Sequence, residues 1–169
     1  NNKKQRIKFN YRTNSRQPSL NQLQPVQNNS NPNKIVEGNP NLRPDYSHQL
    51  NVSYNHWKGL TGSYIWSNLS YRRVMNPFSN EITYDNFGRT ISKTVNMDSS
   101  ANEFASFYVG GKIPIGNTPL GIQINNSSNY NITNSIIDRL KNTTTTLSQS
   151  NEISLEWETD STFIEIGAE

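Results

Sequence analysis

The sequence carries two histidines, His48 and His56, the side chains best suited to proton transfer or metal binding near neutral pH. Eight positions apart on one strand, they share a face but stand roughly 26 Å apart at a rise of ~3.3 Å per residue. They cannot hold one metal ion within that strand. Glu152, Glu156 and Glu158 also share parity. A carboxylate pair for glycoside hydrolysis must face one site at about 5–9.5 Å, a spacing Glu156 and Glu158 meet as any i, i+2 strand pair does. No nucleophile motif or histidine lies near them, and a solvated stripe explains them as well. Gly110-Gly111 falls mid-strand with no helix after it, so it is no phosphate loop and marks a bend or close packing. No cysteine is present, which removes thiolate chemistry. No catalytic, cofactor-binding or metal-binding residue is therefore expected, and no enzyme. Recognition chemistry is left to the stretches 17–36 and 75–97, where Phe78, Tyr84 and Phe87 stand among Asn, Ser and Thr. Aromatic and amide groups there suit a sugar or peptide ligand, or packing of one loop on another.

The elements behind these residues must be built from a polar chain. Of 169 residues only 31% are hydrophobic, and the mean hydropathy is −0.83. Disorder would also bring high charge and few aromatics, whereas 17% are charged and 10% aromatic. The balance suits β-structure that is apolar on one face and neutral polar on the other. The net charge of +3 is modest. In the densest basic run, Lys3-Lys4-Gln5-Arg6-Ile7-Lys8, the neighbouring Phe9 and Tyr11 alternate as strand positions do, so nucleic acid is not an expected partner. No apolar run is long enough for a transmembrane helix. Both termini read as though cut from something longer.

Almost every segment has a period of two. Strands are expected at 4–12, 46–57, 60–74, 103–115, 119–130, 144–158 and 162–168, with a minor hairpin pairing 81–84 and 89–95 about the turn Asp85-Asn86-Phe87-Gly88. Ile136, Ile137 and Leu140 predict one or two helical turns within 133–141. Connections then alternate: long at 13–45, 75–102 and 131–143, short between. Up-and-down strands place all long connections at one end, the arrangement of outer-membrane barrels, and the strand lengths suit a tilted crossing of about 9–11 residues.

Leu50, Val52 and Tyr54 share one face of their strand, and Gln49, Asn51, Ser53 and Asn55 share the other; Gln123, Asn125, Ser127 and Asn129 repeat the amide row. A soluble exterior carries more Lys and Glu. The expected arrangement has the apolar face on lipid and the amide face on a wet lumen. Trp57 and Trp157 each stand beside a tight turn and are expected as interface aromatics, although the end of a sandwich core would also take them. Trp66, mid-strand, fits no such girdle.

One run of motifs adds a resemblance. Arg16-Gln17-Pro18-Ser19-Leu20-Asn21-Gln22-Leu23-Gln24-Pro25, then Asn28-Asn29-Ser30-Asn31-Pro32, then Gly38-Asn39-Pro40-Asn41-Leu42-Arg43-Pro44-Asp45, resembles the barrel of Bacteroidetes TonB-dependent receptors. More narrowly, it is similar to their outer-membrane β-barrel subfamily. The resemblance implies an all-β, antiparallel, up-and-down transmembrane barrel of about 22 strands with a plugged lumen. Residues 1–169 would supply about seven strands as a partial barrel domain. It also implies residence in the bacterial outer membrane, a part in nutrient uptake, and no cofactor. Its partners would be outer-membrane lipid, the remaining barrel and plug, the TonB system acting through that plug, and a surface lipoprotein. In the motif itself Gly38 allows a positive φ. Pro40 and Pro44 fix their own φ and extend Asn39 and Arg43, Leu42 lies between them, and Asp45 or Ser47 is expected to bond nearby amides. The motif is read as structural. The alternatives are a soluble secreted β-sandwich that binds carbohydrate, and an outer-membrane barrel with a purely structural role.

Overall fold

A computed structural model describes residues 3–59 and 62–169. Among these residues, alternating apolar and polar side chains produce a nearly all-β fold of eleven strands in one sheet. Seven of them form an antiparallel up-and-down meander: β1 (Lys3–Arg16), β4 (Asp45–Lys58), β5 (Ser63–Met75), β8 (Ala101–Pro114), β9 (Leu120–Ile137), β10 (Leu140–Glu158) and β11 (Phe163–Ala168). The four others, β2 (Gln27–Asn31), β3 (Lys34–Glu37), β6 (Phe78–Tyr84) and β7 (Thr90–Asn96), belong to the long connections. One helical turn, α1 (Leu20–Leu23), completes the first of these. The strand expected from residue 60 begins at Ser63; residues 60 and 61 lie outside the described residues.

The long connections are themselves stitched to the meander. β6 and β7 pair antiparallel, as their alternation predicts, from Phe78↔Asn96 to Tyr84↔Thr90. β6 then continues the sheet beside the end of β9 through parallel pairing at Glu81↔Ile136 and Ile82↔Ile137. β3 adds parallel to β7, and β2 antiparallel to β3. The third long connection is a correction. Instead of a loop at 131–143 with helical turns, β9 and β10 stay paired to Ile137↔Leu140 and reverse through Asp138 and Arg139, both at positive φ (49° and 64°). Two residues at positive φ make the reversal whose twist matches paired strands. The β-branched Thr and Ile residues on either side favour the extended state.

Among the described residues no apolar centre closes over the meander. The buried hydrophobic residues among those described are Ile35, Leu42, Val74 and Met97, with Pro77 fully buried. Leu42, Val74, Pro77 and Met97 lie in or beside the ends of β4 and β5 where the long connections reach them, and Ile35 lies farther out on β3, opposite Ile91 of β7. At about 1.5–3 kcal/mol per fully buried aliphatic side chain, this small cluster holds the two connections together and leaves the broad faces to other surroundings.

Candidate functional site

The candidate site is the pair of faces on the meander. Partners directly opposite in a sheet share a face, so the register extends each strand's alternation across the sheet. One hydrogen-bonded rung carries Phe9, Val52, Leu69 and Phe107, and the next carries Ile7, Tyr54 and Val109. Leu50, Val52 and Ile122 are half-buried and Leu155 is 44% exposed. These residues do not meet in a core. The opposite face carries Gln49, Asn51, Ser53 and Asn55, and on β9 Gln123, Asn125, Ser127 and Asn129. Its groups bond to one another: Tyr108 Oη donates to Asn129 Oδ1 (3.1 Å) and Asn125 Nδ2 to Glu152 Oε2 (3.1 Å).

The amide face also carries aromatics and unequal charge. Trp57 pairs with Lys4 and Tyr64 and has the parity of Asn51 and Asn55. It therefore stands on the amide face, beside the short turn that follows β4. Trp157 has the parity of Ile153 and Leu155 and stands on the apolar face. Trp66 lies on the amide face across Gly110, where a Cβ would come within 2.7 Å of the indole and 2.6 Å of Asn125 Oδ1. The glycine exists to let the ring lie flat against the wall. Lys4, Arg6, Lys8 and Arg12 stand exposed on β1 with this parity, and Glu152, Glu156, Glu158 and Glu165 stand on β10 and β11. One flank of the wall is basic and the other acidic, with neutral amides between.

Glu156 and Glu158 both meet Lys112, each with an oxygen 2.6 Å from Nζ. The lysine belongs to β8 and the glutamates to β10, so its side chain crosses β9. It does so over Gly121, where a Cβ would lie 2.9 Å from Lys112 Cε. Glu156 is only 5% exposed, and a buried carboxylate needs such a partner. Sequence reasoning places both glutamates on one stripe but misses Lys112. The available signal is a cation on the polar parity of β8.

The motif 38–45 lies where the first long connection enters β4. Gly38 does not use the positive φ open to it; a Cβ there would collide with the Gln24 carbonyl, so glycine is required by close backbone approach. Asn39 Nδ2 donates to the Thr94 carbonyl of β7 (3.0 Å). Asn96 exchanges hydrogen bonds with the Arg43 backbone, accepting from N (2.8 Å) and donating to O (2.8 Å). Leu42 is buried, and Pro40 and Pro44 flank it. Asp45 does not bond nearby amides: it accepts from Arg16 Nε (2.9 Å) and Nη2 (2.5 Å) across β1 and β4. Ser47 Oγ donates to the Asn14 carbonyl (3.2 Å). The motif ties together the two long connections and the first two strands of the meander.

The loop aromatics separate. Phe78 lies half-buried under the Arg16 guanidinium, 4.7 Å from its ring centroid, and packs. Tyr84 and Phe87, 62% and 85% exposed, stand at the tip of the β6–β7 hairpin. Asp85 organises that tip: Oδ1 accepts from the N–H groups of Phe87 and Arg89 (both 2.9 Å), and Oδ2 from Arg89 Nε (2.6 Å). Partial desolvation pushes its carboxyl up, but the Arg89 N–H, the Arg89 guanidinium and the Phe87 N–H outweigh that and hold it below its ordinary value.

His48 and His56 both lie on the apolar face. The Tyr11 hydroxyl is 2.6 Å from His48 Nδ1, with the rings stacked, and Tyr46 meets the same imidazole edge-on. Close by, Tyr71 Oη donates to Glu103 Oε2 (3.1 Å), and the same carboxylate also faces Arg73 (3.5 Å). Such rings with one polar edge suit a boundary between water and an apolar medium. The model of a family described as an outer membrane protein beta-barrel family matches residues 1–164. No curated protein matches the chain.

Proposed function

Because this chain belongs to the outer membrane protein beta-barrel family, and so lies in the outer membrane, we propose that it is part of the wall of a TonB-dependent receptor that takes up a nutrient. Its short turns then point to the periplasm and its long connections outward, with the apolar face on lipid and the amide face on the lumen. The single observation that carries the finer reading is the motif from Gly38 to Asp45, which resembles that of TonB-dependent receptors and here bonds to β1 and β7 at the mouth of the wall. A wet, amide-lined wall favours passage of polar solutes. Capture by outer loops and release as a plug rearranges would supply the remaining steps. The chain performs no covalent chemistry in this account. Its partners are lipid, the rest of the barrel with its plug, TonB acting through that plug, and a surface lipoprotein.

The test compares nutrient uptake by cells carrying the full gene, lacking it, or carrying it without TonB. Uptake that needs both the gene and TonB, with surface binding retained in the strain without TonB, is the expected result. Passive, TonB-independent uptake would contradict the proposal. Absence of any uptake defect on deletion would favour a purely structural barrel.

A further inference from the structure

The basic side chains of β1 share one parity. Lys4, Arg6, Lys8, Arg12 and Arg16 stand on the amide face, and Gln5, Ile7, Phe9, Tyr11, Thr13 and Ser15 on the other face carry no charge. Avoidance of lipid accounts for the side they take, but not for their number or for what balances their charge. On β4 and β5 the amide face carries one carboxylate, Asp45, which Arg16 already holds. Lys4, Arg6, Lys8 and Arg12 form no ion pair among the described residues.

The register brings a further cation beside them. Arg12 pairs with Gln49, and Gln49 with Arg72 of β5. Two exposed arginines thus share one rung of the amide face with a single amide between them. Two strand steps of ~4.8 Å set their backbones about 10 Å apart. Arg72 likewise forms no ion pair among the described residues. The next rung toward the short turns holds Asn10, Asn51 and Ser70, and the one after it begins with Lys8. Like charges this close repel, so the rung is held at a cost that an anion would remove. Guanidinium forks match the paired oxygens of a carboxylate or phosphate, and Gln49, Asn51 and Ser70 offer neutral donors to the remaining oxygens.

We infer that Arg12, Gln49 and Arg72, with Lys8 beside them, form a station for the anionic group of a transported solute, a carboxylate or a phosphate. From Arg12 the cations continue to Lys4 over about 27 Å, at ~3.4 Å per residue along the strand. A fixed acidic contact would balance this charge at one place. A row of cations along the wall suits an anion that moves, because passage needs sites strong enough to admit it yet numerous and weak enough to release it. A wall of one sign also raises the local concentration of the opposite charge. The glutamates of β10 and β11, on the far flank, keep such a solute against β1 and β5. This inference names the substrate class of the receptor proposed above and rests on the amide face lining its lumen.

The chain has no cysteine, so Asn51→Cys, at the station, and Ser150→Cys, on the acidic flank, can be read against the unsubstituted full-length protein in nanodiscs. The probes are two methanethiosulfonates, one bearing a sulfonate and the other a trimethylammonium group. The ratio of anionic to cationic reaction rates should be several-fold higher for Asn51→Cys than for Ser150→Cys. Adding Arg12→Gln and Arg72→Gln should bring it down to the Ser150→Cys value. Citrate or inorganic phosphate should slow the anionic probe at Asn51→Cys and not at Ser150→Cys; the stronger competitor tells carboxylate from phosphate. Equal ratios, or no slowing by either anion, would overturn the inference. So would protection of Asn51→Cys from both probes while Ser150→Cys reacts, since a fixed partner such as the plug would then cover the arginines. Asn10→Cys repeats the measurement should Asn51→Cys fail to fold. Faster reaction at the adjacent Val52→Cys than at both amide-face positions would overturn the membrane-wall reading as well.

Discussion

Arg16 and Asp45 close the outer end of the β1–β4 pair, and their unequal burial sets unequal consequences. Asp45 is almost wholly enclosed, its side chain 5% exposed, against 60% for Arg16. Arg16→Ala strands a buried carboxylate and should destabilise the folded protein by about 3–5 kcal/mol. Asp45→Ala leaves an arginine that water can solvate and should cost about 1.5–3 kcal/mol. Urea titration of the full-length protein in detergent micelles checks the order; an equal or reversed loss would contradict it. At this scale the sequence is legible where a residue acts within its own strand. Glu156 and Glu158 can be placed on one stripe from parity alone. The contact of Lys112 with them crosses β9 over Gly121, and that of Arg16 with Asp45 joins residues 29 apart. Both depend on register, which no local pattern carries.

The hairpins decide what can be predicted for elements. In the β6–β7 tip the Asp85 carboxylate has a depressed folded-state pKa, so its stabilisation is present above the ordinary value of 3.8 and is lost as pH falls through the depressed folded value. Limited proteolysis of the tip by an acid-stable protease should therefore accelerate as pH drops below 3.8, and Asp85→Asn should remove that part of the pH dependence. A profile unchanged by the substitution would contradict the assignment. In the β9–β10 turn, Asp138 and Arg139 both occupy positive φ, which is strained for side chains with a Cβ. The double substitution Asp138→Asn with Arg139→Gly should stabilise the ribbon by about 1 kcal/mol, visible as slower amide exchange at Ile137 and Leu140. This turn is illegible in the sequence because an Asp-Arg pair carries no glycine signal, while Ile136, Ile137 and Leu140 fit a helical spacing as well as two strand ends. The β6–β7 hairpin is legible because Asp85-Asn86-Phe87-Gly88 supplies both the side-chain acceptor and the glycine, at φ 76°.

For the whole molecule, alternation alone separates an apolar from an amide face, since a period of two is a property of the chain itself. The attachment of β3 to β7 and of β6 to β9 is not readable, because parallel pairing between distant segments leaves no turn to mark it. The place of Trp57 beside a turn is legible as a depth along its strand, and its parity with Asn51 gives its face. The central claim is that the apolar face meets hydrocarbon and the amide face meets water. It is tested most directly by one charge placed on adjacent residues of β4, Val52→Arg and Ser53→Arg, with unfolding free energy measured for the full-length protein in vesicles. Lipid-facing arginine near the bilayer centre costs about 2–4 kcal/mol, so Val52→Arg should lose that much and Ser53→Arg little. Equal losses, or a greater loss at Ser53, would contradict the account.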